Sequence, residues 1–319
     1  MIDLIPSTIR LPWGLQRRLE AASSHLLHPA GGPTVDFSRP VGEAALVAAD
    51  SVSWRVFKNP VALFVGGIAA VILELAEPAV RSGVWDHSTF RSDALSRLRR
   101  TGLAAMVTVY GPRSVAEPMI ARIGQMHTRV AGTTPDGEAY SASDPRLLTW
   151  VHATAAYGFV QAYTRYVEPL GCSDTDALYA ESAPVARLYG ALDPPLSERA
   201  VQTLLSSMRG RLEPSPILFR FLDIMAGTQT LPSPLFWMQP LLMRAAVDII
   251  PPWIRRRLGL TGHYGLRRRD AWVVHAAGAV ANRIVLRDSP AAQSCLRLGL
   301  PITHLYRRVQ PGRMARKPS

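Results

Sequence analysis

The sequence predicts a single all-α domain built of many helices. Apolar residues recur at helical spacing in one stretch after another. Proline and glycine separate those stretches, and the alternating apolar–polar runs of half-buried strands are few. Hydrophobic residues make up 48% and charged residues 19% of the 319 positions, enough to close a sizeable core and unlike a disordered chain. No solenoid-length repeat interrupts this pattern.

The elements follow in order. Residues 1–40 are rich in Pro, Gly and His, with a helical piece near Leu11 to Leu27, and residues 41–58 read as a helix. Pro60 opens an apolar helix, which Pro78 ends or kinks. The next segment turns through Gly83, with Asp86 or Ser88 placed to cap what comes after. Helices then run from Arg91 to Tyr110 and from Ser114 to Ala131, closed by Gly111-Pro112 and by Gly132. A polar loop, TTPDGEAYSASD, leads to a helix capped by Ser143 or Asp144, started by Pro145 and ending near Glu168. Further helices span 174–190, 197–212, 216–226, 234–250 and 268–287. The chain thus divides into an N-terminal helical extension (1–59), a core (60–290) and a basic tail (291–319).

Charge and cysteine usage exclude several classes. The formal net charge is +12, carried almost wholly by Arg, since Lys occurs only at Lys58 and Lys317. The arginines are scattered, with short runs at Arg255 to Arg257, Arg267 to Arg269 and from Arg307 to the end. A nucleic-acid interface needs them gathered on one face, so no nucleic-acid partner is expected. Cys172 and Cys295 are too few for a disulfide framework and fit a reducing compartment. The first twenty residues lack the pattern of a secretory signal. The longest apolar run, PVALFVGGIAAVIL, is short of the roughly 20 residues that span a bilayer and reads as a buried helix. A cytoplasmic location is expected, with peripheral membrane contact left open through IRLPWGLQRRL.

Dinucleotide-binding, phosphate-loop, nucleophile-elbow and HExxH motifs are absent. Glu74 and Glu77 form a Glu-x-x-Glu, but the chain has no Glu-x-x-His of the di-iron kind. What remains is chemistry centred on histidine. Ile120, Ile123, His127 and Val130 share one helical stripe, and Leu148, His152, Ala155, Phe159, Tyr163 and Tyr166 share another. Each histidine reads either as a hydrogen-bonded core residue or as a metal ligand facing a dry pocket. Arg97 and Thr101 lie one turn apart on a face that also carries Thr108. An inward Arg needs an anion, whether a buried carboxylate or an acidic group of a ligand. Gly66-Gly67 allows either close helix packing or close approach of a flat ligand.

Three runs, DHSTFRSDALSRLRRT, QMHTRVAG and GEAYSASDPRLLTWVHA, resemble the signature of the MpaB-type oxygenases, relatives of the latex-clearing proteins. The resemblance covers roughly Pro60 to Pro195. It includes the Arg-x-x-x-Thr of Arg97 to Thr101, Met126-His127 with Gly132 after it, Tyr140, Asp144-Pro145 and Trp150-Val151-His152. It implies an all-α fold enclosing a haem b pocket. The motif histidine matching His127 is the implied iron ligand, Arg97 and Thr101 are the pocket pair, and haem would be the flat ligand that Gly66 and Gly67 could admit. His152 becomes a distal or orienting group. The implied activity is haem-dependent oxygen insertion into, or cleavage of, an unsaturated lipophilic molecule with dioxygen. A haem-dependent dehydrogenase or peroxidase, or a haem carrier or sensor, stays open on the same fold. One departure concerns the position before the motif Thr. Latex-clearing proteins can place a Lys there that caps the iron; here it is Arg100, a poor ligand. Those proteins also use a distal Glu in the upstream helix, where this chain offers Glu74 and Glu77.

Overall fold

Caps and prolines set the helix starts along the chain. The computed structural model describes residues 8–9, 11–14, 16–17, 20, 34–231 and 233–306, with the side chains at 233 and 234 excepted. Most of the 11–27 helical piece and all of the tail from residue 307 lie outside the described residues. Ser51 accepts from the Trp54 amide and begins α1 (Val52–Phe57), while the Glu181 carboxylate accepts from the Val52 and Ser53 amides. Only this part of the expected 41–58 helix forms. Before it the chain turns: Gly42 has a positive φ of 83°, and Ala45 bridges Pro112 instead of coiling.

Asn59 caps α2 (Pro60–Leu75), and Glu77 caps α3 (Pro78–His87). The two helices meet at 107°, so Pro78 marks a break between helices. The expected turn at Gly83 is absent. Gly83 lies within α3, where Tyr140 packs over it, and the cap of α4 (Ala94–Tyr110) is Asp93 rather than Asp86 or Ser88. Next come α5 (Arg113–His127) and a short antiparallel hairpin, β1 (Ala131–Thr133) with β2 (Ala139–Ser141), in place of the expected loop. Asp144 and Pro145 start α6 (Pro145–Tyr166) as read from the sequence. Then follow α7 (Cys172–Leu188), α8 (Glu198–Ser207), α9 (Pro216–Gly227), α10 (Gln239–Asp248), α11 (Pro252–Arg257), α12 (Arg268–Ala281) and α13 (Pro290–Arg297). The short α11 and α13 were not anticipated, and the expected helix from 234 opens as a 3-10 turn over Ser233–Met238.

The fold is all-α, and α2 against α6 is its main contact. Gly66 and Gly158 make the close approach: a Cβ on Gly66 would meet the Gly158 backbone at 2.9 Å, and one on Gly158 would strike the Gly66 carbonyl. The core falls into two clusters. One gathers around α2 and α6 with α9, α10 and α12; the other gathers around α4 with α5, α13 and the segment from Phe37 to Trp54. In the second, Trp54 Nε1 donates to the carbonyls of Val47 and Val109, and Tyr110 Oη donates to that of Trp54. Arg297, fully buried, donates to the carbonyls of Phe37, Glu43 and Tyr110 and so ties the segment before α1 and the C-terminal α13 to α4. Cys172 is exposed, Cys295 is buried, and both are free.

Among the described residues no single helix is long and apolar enough to cross a membrane. Only the bent pair α2–α3 passes on length and composition, and most of α2 is buried in the core.

Candidate functional site

The sequence-predicted residues are carried by four helices, α2, α4, α5 and α6. Only Gly111 and Pro112 separate α4, which carries Arg97, from α5, which ends at His127, and the two helices are in contact. α2 and α6 are antiparallel. Gly158 lies on Gly66, whereas at the other end Gly278 abuts Tyr166 and its carbonyl accepts from Asn59. The same register sets His152 at the level of Val71 to Glu74.

α2 and α6 belong to the first core cluster and α4 to the second, and the gap between them is the seam where those clusters meet. α4 packs on α1, α5 and α13 rather than along α2 or α6. Each of the three facing helices keeps a partly exposed stripe: Gly67, Val71 and Glu74 on α2; Arg97, Ala104 and Thr108 on α4; His152, Ala155 and Phe159 on α6. The stripes are linked around the gap. Thr108 hydrogen-bonds Tyr189 at 2.9 Å, Ser182 of α7 meets His152 Nε2 at 3.3 Å, and Glu74 interacts electrostatically with Arg97. The stripes thus mix apolar residues (Gly67, Val71, Ala104, Ala155 and Phe159) with convergent polar groups, as ligand sites generally do.

His127 ends α5. Its ring makes no hydrogen bond to any described residue, and Nδ1 is buried without a partner, a deficit of roughly 1–3 kcal/mol. Burial lowers its pKa, which keeps the imidazole neutral with a lone pair to offer. His152 differs. Burial holds its pKa down at about 4, and its neighbour fixes its tautomer: the Ser182 hydroxyl donates to the Tyr179 carbonyl, so Ser182 Oγ must accept from His152 Nε2–H. This arrangement leaves Nδ1 as the acceptor.

Arg97 has one neutral hydrogen-bond partner, Ser88 Oγ at 3.0 Å, and stacks loosely over Phe90. Burial lowers its pKa and Glu74 opposes that shift. It forms no ion pair among the described residues, so most of its donors are open to an anion. The Glu74 carboxyl is pushed up to about 7 by burial, with Arg97 pulling it back. Glu77 is wholly buried and committed elsewhere, capping α3 and pairing with Arg211 at 2.7 Å. The structure thereby separates two carboxylates that the sequence left equivalent: Glu74 faces the site, and Glu77 holds the fold together.

The remaining predicted residues divide. Gly66 is corrected from ligand approach to helix packing, because Phe159 and Gly158 fill the space a Cβ would need. Gly67, one residue on, has open space above it. Thr101 is exposed, one turn beyond Arg97. Arg100 is exposed and bonded to Thr89, whereas Arg99 buries an unpartnered Nε. Ser88, Ser182 and Tyr189 were missed; each is a polar residue without a motif, visible only once its partner helix is placed.

Among the described residues no group of three or more His, Cys, Asp or Glu is disposed to hold a metal ion. A metal held here would have to bring most of its ligands with it, with His127 the candidate protein ligand and Arg97 the candidate partner for an acidic group of such a ligand. No curated protein and no solved structure matches this chain. A family model does, over residues 54–283, well beyond the motif region. The chain belongs to the family of ER-bound oxygenase mpaB/B' and rubber oxygenase catalytic domains.

Proposed function

We propose that this protein is a haem b-dependent oxygenase that uses dioxygen on an unsaturated lipophilic molecule. The unpartnered, neutral imidazole of His127 at the end of α5 carries this reading. A lone imidazole suits iron whose other four ligands come from a porphyrin. The residues fit such a group: His127 to hold the iron, Arg97 with free donors for a propionate, and Gly67 leaving room for a flat ring. When bound, haem b supplies the activation of dioxygen.

The chain's own residues supply the rest. Apolar walls from α2, α4 and α6 exclude water and hold a substrate without charge. His152 stays neutral and, through Nδ1, accepts a hydrogen bond from a substrate hydroxyl or a water. Glu74, titrating near neutral pH, holds or releases a proton within the gap, where a group with that pKa is most effective. Arg97 lowers that pKa against the larger effect of burial, and it would hold a propionate of bound haem.

The test is a haem titration of the apoprotein. A Soret band should appear, and a pyridine haemochrome assay should give one protoporphyrin iron per chain. His127→Ala should abolish the saturable Soret change, while His152→Ala should retain it with an altered spectrum. A chain that stays colourless throughout refutes the cofactor. Retention by His127→Ala with loss by His152→Ala would exchange the two histidines.

A further inference from the structure

The side-chain amine of Lys58 lies apart from the proposed cofactor site. Asn282, which holds it, also donates to Tyr163 Oη at 3.3 Å, and Tyr163 lies roughly 16 Å along α6 from His152. Of the 36 cationic side chains in the sequence only Lys58 and Lys317 are lysines. Where a buried cation ties carbonyls together elsewhere in this chain, it is Arg, as at Arg81 and Arg297. A guanidinium stays charged, whereas an amine in the same setting can lose its proton and become a nucleophile.

Lys58 closes α1, and its Nζ donates to the Asn282 carbonyl at 2.8 Å and to Asn282 Oδ1 at 2.6 Å. The Tyr306 ring covers the amine, with Nζ 4.5 Å from the centroid. Lys58 forms no ion pair among the described residues. Glu168 favours its charge only at longer range, and Arg55 of α1 opposes it. Two oxygens take up both hydrogens of a neutral amine, whereas the third proton of an ammonium finds only a ring face. Burial lowers the Lys58 pKa from 10.5 to about 7. Tyr163 and Tyr306 keep their protons there, since burial pushes both phenols upward. The residue is partly exposed, so it still touches solvent.

We propose that Lys58 is a covalent capture site for aldehydes, at which the Nζ lone pair adds to the carbonyl carbon and water leaves to give an imine. The aldehyde oxygen departs in that water with both amine hydrogens, and no oxidant or reductant is consumed. Once protonated, the imine keeps an N–H for an Asn282 oxygen and a positive charge for the Tyr306 ring. Other electrophiles suit the pocket less well. An acyl group would leave an uncharged amide, and carbon dioxide would leave an anionic carbamate among acceptor oxygens and against a π face. The site stands whether or not the cofactor reading holds, because it shares no residue with the residues assigned to haem.

The test is reductive trapping on the full chain with hexanal and sodium cyanoborohydride, which converts the imine to a stable secondary amine. Peptide mass spectrometry then compares Lys58 with Lys317. At pH 7 an ordinary lysine is almost wholly protonated, so Lys58 should label at least about tenfold faster. Its labelling rate should level off above about pH 7, whereas an ordinary lysine's keeps rising toward pH 10. In urea the two lysines should label alike. Lys58→Arg should keep its helicity and carry adduct only at the other amines. Labelling of Lys58 no faster than that of Lys317 in the folded chain would overturn the proposal and leave Lys58 a structural tie. A Lys58 rate that keeps climbing to pH 10 would overturn it as well.

Discussion

At Glu74 and His152 burial acts on two titrating groups in opposite directions. Glu74 rises from 4.5 to about 7, so between those values the folded state binds the extra proton and stability falls as pH rises. His152 drops from 6.5 to about 4; across that window the unfolded state binds the extra proton, and stability rises with pH. The two slopes oppose each other between about pH 4.5 and 6.5. Glu74→Gln should therefore leave a melting temperature that climbs more steeply with pH over this range than in the parent chain. His152→Asn should do the reverse. Parallel melting curves in all three proteins would mean that neither group titrates in the folded gap. At this scale helical spacing was informative for Arg97 and His152, which lie on the partly exposed stripes of α4 and α6, whereas His127 ends α5 with Nδ1 unpartnered. It was silent on Glu74 against Glu77. They are only three residues apart, and only the bend after α2 turns one into a cap and leaves the other at the site.

The helix pair α2–α6 depends on glycine at two neighbouring positions for different reasons. Gly158→Ala should destabilise the protein by roughly 1–3 kcal/mol, because the methyl is driven into the Gly66 carbonyl across a tight interface. Gly67→Ala meets nothing and should stabilise the apoprotein by up to about 1 kcal/mol through helix propensity. The same methyl would stand in the gap, so haem affinity should fall even as melting temperature rises. A Gly67→Ala protein that binds haem as the parent does would show that no flat ligand comes close to α2. The elements with an explicit start signal were legible: Pro60 opens α2, and Asp144-Pro145 opens α6. The hairpin after His127 was not, since each strand is three residues long and too short to show alternation. Residues 41–51 misled because their alanines suit a helix, whereas Gly42 and the bridge from Ala45 to Pro112 commit the backbone to turns.

Across the whole molecule, the division of the core into two clusters was beyond sequence reasoning, because it depends on which apolar stripes meet. It also changes where the chain can be divided. Arg297 satisfies its guanidinium on carbonyls at Phe37, Glu43 and Tyr110, and Trp54 takes the carbonyl of Val47. Phe37, Glu43, Val47 and Arg297 all lie outside the family-matched span of 54–283. A polypeptide trimmed to that span would lose the guanidinium and expose α4 where α13 had covered it. Limited proteolysis of the full chain should leave a resistant fragment that begins before Phe37 and ends after Arg297, as mass spectrometry would show. A stable fragment confined to 54–283 would contradict this. The inherited unit is shorter than the unit that folds, and any transplant of the family segment into another protein must carry its flanks along.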